Sequence, residues 1–276
     1  MELLLLGTAA AEGWPAPFCE CDSCEKARTS GGRNIRARSS ALLDNVVQID
    51  FGPDTMARIQ ALGRKFTAIT SLIFTHQHDD HLSAHELFYR CAPFSVHSDL
   101  PMLQVFGNQT VVEIMTSSHP DAAWREEKAH FCIEPPLEPF ETRHADDGTT
   151  ILALPADHAE ESLVLRISRG ERHVWYGHDS GQYADSVIEA LRGVPLDVAL
   201  FDCTYGKQFN LNRGHMAIDG VIEAVRRMRE VGAITSSTKL IATHFSHNGR
   251  ALYDDLLEHF KPHQIDVAYD GMTIEI

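Results

Sequence analysis

No apolar run in this 276-residue sequence approaches the ~20 residues a membrane helix needs, so a membrane partner is not expected. Met1–Leu6 is apolar but short, Glu2 interrupts it, and no basic stretch precedes it. It reads as a first strand rather than a signal peptide, with a cytoplasmic protein as the expectation. Basic charge is scarce: 24 Lys and Arg stand against 39 Asp and Glu, a net charge of −15. That disfavours a nucleic-acid partner, which calls for a basic face. Part of the acidic excess is expected to be local, because carboxylates that hold divalent cations count as bare charges. Repeats and low-complexity linkers are absent. Cysteines spread in pairs, the mark of a disulfide framework, are missing too. Of the six, Cys19, Cys21 and Cys24 cluster, while Cys91, Cys132 and Cys203 sit in or beside apolar stretches as small buried hydrophobes.

What is present is a series of short strands punctuated by polar turns. "ELLLLG" is a strand. "SALLDNVVQIDFG" reads as two strands or a hairpin turning near Asp44–Asn45. "PDTMARIQALG" reads as a short helix. "AITSLIFT" is a buried strand, and "SAHELFYRC" a helix capped by Ser83. Strands follow at "SVHS", "TTILALP", "SLVLRIS", "HVWYGHD", "LDVALFDCT", "KLIATHFSH", "IDVAYDG" and "MTIEI". "YADSVIEALRG" is helical, and "HMAIDGVIEAVRRMREVG" is an amphipathic helix with Ile218, Val221, Ile222, Val225 and Met228 on one stripe. Strand and helix do not alternate strictly, which disfavours a Rossmann fold and suits two mixed sheets covered by helices. The chain reads as one domain over 1–276. The less regular 93–140 segment reads as a variable lobe or a site cover, without a domain boundary.

The strongest chemical signal is "THQHDDH". Its His-x-His-x-Asp-His spacing lets one loop aim His76 and His78 at one ion, and Asp80 and His81 at an adjacent one. Imidazole and carboxylate donors suit zinc, manganese or iron. Four such residues directly after a buried strand are poorly explained as an incidental polar loop.

This stretch resembles the signature of the metallo-β-lactamase superfamily. The resemblance implies an αβ/βα four-layer sandwich of two mixed sheets, α/β (α+β) in class, with metals at one edge. Continued along the chain, it places His158 ("PADHAEES"), Asp179 ("HDSG") and His244 ("THFSH") at the remaining ligand positions, in order and each at a strand end. Singly, each would equally suit a capping or loop residue. The ligand set it implies is His76, His78 and His158 on a first metal, Asp80, His81 and His244 on a second, and Asp179 bridging. His119 and His178 match no ligand position and read as surface or outer-shell residues; His85 reads as a residue of the following helix.

The cluster "FCECDSC" resembles a branch of that superfamily that includes the phosphodiesterase of the carbon–phosphorus lyase pathway. There three cysteines and a histidine hold a structural zinc. By that resemblance the fourth ligand here is His247, completing a Cys₃His set with Cys19, Cys21 and Cys24. "GTAAAEG", "RARSSALL" and "IDFGPD" resemble further turns of the same branch, with Asp50 and Asp54 near the metals. His215 in "NRGHMAIDG" corresponds to a histidine that acts on the phosphate. Asp80 and His215 are therefore the candidate catalytic residues, with Asp202 and Tyr205 as weaker members of the pocket. The expected cofactors are two divalent ions (Mn²⁺, Zn²⁺ or Fe²⁺) and one structural Zn²⁺. The expected partner is a small phosphodiester, cyclic or open, and by the same resemblance a second copy of the chain in a homodimer. Three readings compete: a transfer-RNA 3′-processing nuclease, a non-hydrolytic relative from pyrroloquinoline quinone biosynthesis, and a lactonase or thioesterase using the same metals.

Overall fold

The computed structural model describes residues 1–97 and 99–276. Two mixed sheets of seven strands each face one another. The first contains β1 (Glu2–Gly7), β2 (Ser40–Leu43), β3 (Val47–Ile49), β4 (Ser71–Ile73), β5 (Leu103–Phe106) and β6 (Phe131–Ile133), with the last strand, β14 (Thr273–Glu275), beside β1. The second runs β7 (Thr142–His144), β8 (Thr149–Pro155), β9 (Leu163–Arg169), β10 (Arg172–Gly177), β11 (Val198–Asp202), β12 (Lys239–Thr243) and β13 (Ile265–Val267) in spatial order. In each sheet one half is antiparallel and the other parallel.

Strand parity builds the layers. In β1, Leu3 and Leu5 join the core between the sheets, where Ile151, Leu165 and Val174 of the second sheet meet them. Leu4 and Leu6 point the other way, into a second core with Ile59 and Met115. These last belong to α2 (Thr55–Ala61) and α3 (Gln109–Ser118), while α1 (Asp22–Ser30) carries Cys24. After α4 (Ala122–Glu127) and α5 (Asp185–Glu189) come α6 (Ile218–Glu230) and α7 (Tyr253–Phe260). In α6 the expected stripe is buried except Ile222, which is only partly covered.

The β2–β3 hairpin turns where expected. Asp44 and Asn45 both have positive φ (51° and 58°) within the three-residue turn 44–46 between the paired Leu43 and Val47, and Val46 N–H donates to the Leu43 carbonyl across it. Elsewhere the sequence reading needs correction. Residues 84–90 form a 3₁₀ helix, and Ser83 makes no side-chain cap; its carbonyl instead accepts an i+3 bond from Glu86 N–H. Residues 95–97 of "SVHS" are not a strand, and Ser98 lies outside the described residues. The strand of that region is Leu103–Phe106, buried between β4 and β6. The 93–140 segment supplies β5 and β6 to the first sheet. No helix among the described residues is long and apolar enough to cross a membrane.

Candidate metal centres

Five strand ends deliver polar residues to one edge of the molecule. The loop after β4 carries His76–His81; His158 follows β8, Asp179 follows β10, Asp202 ends β11, and His244 follows β12. Asp50, Asp179 and His244 all adopt positive φ (54°, 46° and 58°), which is costly for non-glycine residues. Such strain persists where surrounding contacts over-determine the backbone, as at a ligand-holding edge.

The donor atoms fall into two groups. His76 Nε2 and His158 Nε2 lie 3.0 and 3.2 Å from His78 Nδ1. On the other side, His81 Nε2 is 3.0 Å from Asp80 Oδ2. Asp179 stands between. Its Oδ2 is 2.8 Å from His81 Nε2 and 3.0 Å from His244 Nε2, while Oδ1 turns toward His158 Nε2 at 3.6 Å. All seven residues expected at the dinuclear site are thus brought together, one carboxylate oxygen addressing each group.

The rings are held from behind. His76 Nδ1 donates to Thr75 Oγ1 (3.0 Å), which donates to Asp50. His81 Nδ1 donates to Asp50 Oδ2 (2.8 Å), His158 Nδ1 to the Gly214 carbonyl (3.0 Å), and His244 Nδ1 faces Asp202 Oδ2 at 3.2 Å. This is the outer shell that fixes tautomer and leaves Nε2 free to ligate. Gly52 keeps the loop seated: a Cβ there would lie 1.8 Å from the Asp80 carbonyl oxygen.

Charge and satisfaction both fit a cation. His81 Nε2, His244 Nε2 and Asp179 Oδ2 are buried without a good hydrogen-bond partner, an unusual expense for interior polar atoms. Burial opposes charge on His81 and His244, but Asp179 and its neighbouring carboxylates outweigh it and raise both, His244 to about 10. Burial would raise the Asp179 carboxyl; His244 and His81 hold it well below its usual range. Burial and the cationic neighbour His81 push His76 down. The same carboxylates that favour a proton on His81 and His244 would favour a divalent ion there, so metal uptake is expected to release protons.

His215 lies beside this edge. Its ring is 4.8 Å from that of His158, and its Nδ1 donates to Asp202 Oδ2 at 2.9 Å. Burial would lower the pKa of His215, but the Asp202 carboxylate raises it. Tyr205 sits edge-on to His215 at 5.5 Å. Asp50 joins the shell, whereas Asp54 does not: it pairs with Arg38 at 2.7 Å.

His178 is not a surface residue. It is fully buried against Tyr176, with neither ring nitrogen partnered, and burial depresses it to about 3. His119 is also buried, its Nε2 donating to the Ala84 carbonyl. Both are pulled inward by apolar neighbours that a polar tripeptide in sequence does not reveal.

A second cluster forms 228 residues apart in sequence. Cys19 and Cys21 Sγ lie 3.6 and 3.3 Å from His247 Nδ1, and Cys24 completes the group from α1. His247 Nε2 faces Glu12 at 3.5 Å, a partner that sequence reasoning missed. A backbone N–H from Cys24 lowers the Cys21 thiol to about 6, while burial raises Cys24 to about 12.

A profile of the beta-lactamase superfamily domain matches residues 45–245, and the chain belongs to that superfamily. It is 22% identical to coenzyme PQQ synthesis protein B of Cupriavidus necator, an alignment that spans 99% of this chain and 98% of that protein. In three dimensions it resembles a diphosphatase of the PhnP family (TM-score 0.75, 21% identity, 100% and 97% of the two chains). It also resembles Zn²⁺-bound PqqB from Methylobacterium extorquens (TM-score 0.76, 17% identity, 100% of both). At these identities the structural likeness carries the fold, two mixed sheets flanked by helices.

Proposed function

We propose that this member of the superfamily is a dinuclear metal-dependent hydrolase acting on a small phosphoric diester or anhydride. The observation that supports it best is Asp179, whose two oxygens address different donor groups. In this reading His76, His78 and His158 would hold one divalent ion, Asp80, His81 and His244 a second, and Asp179 would serve both. Bound there, the ions would supply Lewis acidity toward a phosphoryl oxygen and would acidify water. The chain's own work is orientation and proton handling. Asp50, Thr75 and Asp202 fix the imidazoles. Asp202 also keeps a proton on His215 Nδ1, leaving His215 Nε2–H to donate to a phosphoryl or leaving-group oxygen. Cys19, Cys21, Cys24 and His247 would hold a structural zinc, tying the loop 11–19 to the end of β12 without taking part in the chemistry.

Protein loaded with Mn²⁺, Zn²⁺ or Fe²⁺ is expected to hydrolyse bis-p-nitrophenyl phosphate or a cyclic ribose phosphate faster than a lactone. Lactone turnover alone would move the assignment to the carbonyl class. Metal binding with no turnover of any of the three would favour a second reading, a role in pyrroloquinoline quinone synthesis, which rests on the full-length similarity to coenzyme PQQ synthesis protein B.

A further inference from the structure

The five histidines of the metal edge are not held alike. His76, His81, His158 and His244 each have an Nδ1 partner behind the ring. His78 instead turns Nδ1 toward His76 and His158, and among the described residues nothing outside the donor set hydrogen-bonds its ring. His78 is also exposed, so packing does not lock the imidazole either. Its place depends on the backbone that carries it.

Asn108 supplies that hold. It is buried at the turn from β5 into α3. Its Oδ1 accepts from Val111 N–H at 2.8 Å and caps α3. Its Nδ2 donates to the Glu161 carbonyl at 2.9 Å and toward Gln77 Oε1 at 3.4 Å. Gln77 stands between His76 and His78, and Glu161 follows His158 by three residues. One side-chain amide therefore joins the two loops that carry the first donor group. Its base is firm: Val111 and Met115 are fully buried, and a Cβ on Gly107 would lie 2.4 Å from Val111 Cγ1. The far end is fixed as well. Glu161 adopts a positive φ of 61°, and its carboxylate accepts from Thr110 N–H and Oγ1 at 3.1 and 2.9 Å.

We propose that Asn108 is a positioning residue for the first donor group. By tying the His78 loop to the His158 loop it sets the affinity of His76, His78 and His158 for their ion. The proposal rests on the two-ion reading above. The second group, Asp80, His81 and His244, takes its outer contacts from Asp50 and Asp202 instead.

Asn108→Ser separates the helix cap from the tie. Serine caps a helix about as well as asparagine, but it has no amide to reach Glu161 and Gln77. Chelator competition for Zn²⁺ is compared in wild type, Asn108→Ser, His158→Ala and the double variant, with circular dichroism as the check on fold. Asn108→Ser is expected to weaken first-group zinc about two- to tenfold, the scale of one neutral hydrogen bond. It should have no further effect once His158→Ala has disabled that group. Wild-type affinity in Asn108→Ser, or a loss just as large in the His158→Ala background, would overturn the role. Should Asn108→Ser fail to fold, Gln77→Met, on an only partly buried side chain, decides by the same comparison. If wild type binds no ion at the edge, the two-ion reading fails by itself. Hydrogen exchange without metal then still decides whether Asn108 ties the loops. Faster exchange in 75–82 and 157–162 of Asn108→Ser, with 109–118 unchanged, supports the tie, and unchanged exchange in both loops overturns it.

Discussion

Asp202→Asn isolates the outer shell from the donors. Asp202 is fully buried and saturated. Its Oδ1 accepts from Thr204 N–H and Met216 N–H, each at 3.0 Å, and its Oδ2 faces Thr204 Oγ1, His215 Nδ1 and His244 Nδ1 at 3.1, 2.9 and 3.2 Å. An asparagine keeps the shape. Its oxygen remains with the two backbone donors, so its NH₂ must turn to the two imidazoles. A donor facing an Nδ1–H is repulsive, so both rings give up the Nδ1 proton and carry hydrogen at Nε2 alone. For His244 that puts a hydrogen where a lone pair must bind the ion. Losing an outer-shell partner of a ligating histidine costs about 10–100-fold in metal affinity, roughly 1.4–2.7 kcal/mol. The upper half is expected, because one carboxylate serves two rings. Competition against a chromophoric chelator reads the affinity, and circular dichroism checks the fold. A folded Asp202→Asn protein that binds its ions as tightly as wild type would show that Asp202 does not set the His244 tautomer.

Three other outcomes follow from the structure. In metal-free protein near neutral pH, iodoacetamide should modify Cys21, lowered to about 6, well before Cys24, raised to about 12; added zinc should protect both, as peptide mass mapping would record. Gly52→Ala should cost about 1–3 kcal/mol in urea unfolding and weaken metal binding, because the new Cβ meets the Asp80 carbonyl. The Arg38 hydrogen bonds depress the Asp54 carboxyl, so its contribution to stability is full above its unfolded pKa of about 3.9 and is lost as pH falls through the lower folded value. Asp54→Asn should therefore reduce stability at neutral pH and flatten its decline in acid, with a salt-sensitive magnitude because the pair is about 30% exposed.

The donors were legible because they are local: a histidine-rich turn reads directly as a metal motif, and the strand before each later donor reads as a buried apolar run. Their partners were not, because they arrive from elsewhere in the chain. Asp50 comes from the end of β3 to His81, Asp202 from β11 to His244, and Glu12 from the first loop to His247. Burial removes only the surface half of the reading of His178 and His119, since burial is set by what packs over a residue and not by its neighbours in sequence; the His178 ring lies 5.9 Å from that of His244. The 3₁₀ helix at 84–90 carries a helix-like apolar pattern, but its Ser83 side chain makes no capping bond.

On the proposed function, hydrolysis belongs to the edge at Asp179 and not to the thiol cluster. Metal content per chain and hydrolysis of bis-p-nitrophenyl phosphate, measured on the same preparations of wild type, Asp179→Asn and His247→Ala, test it most directly. Asp179→Asn is expected to lose edge-bound metal and at least 100-fold in turnover, the scale on which catalytic metal sites act. His247→Ala is expected to lose about one zinc and melt lower, yet keep its activity per folded molecule. Full activity in Asp179→Asn, or turnover lost only with the zinc at His247, would contradict the proposed function.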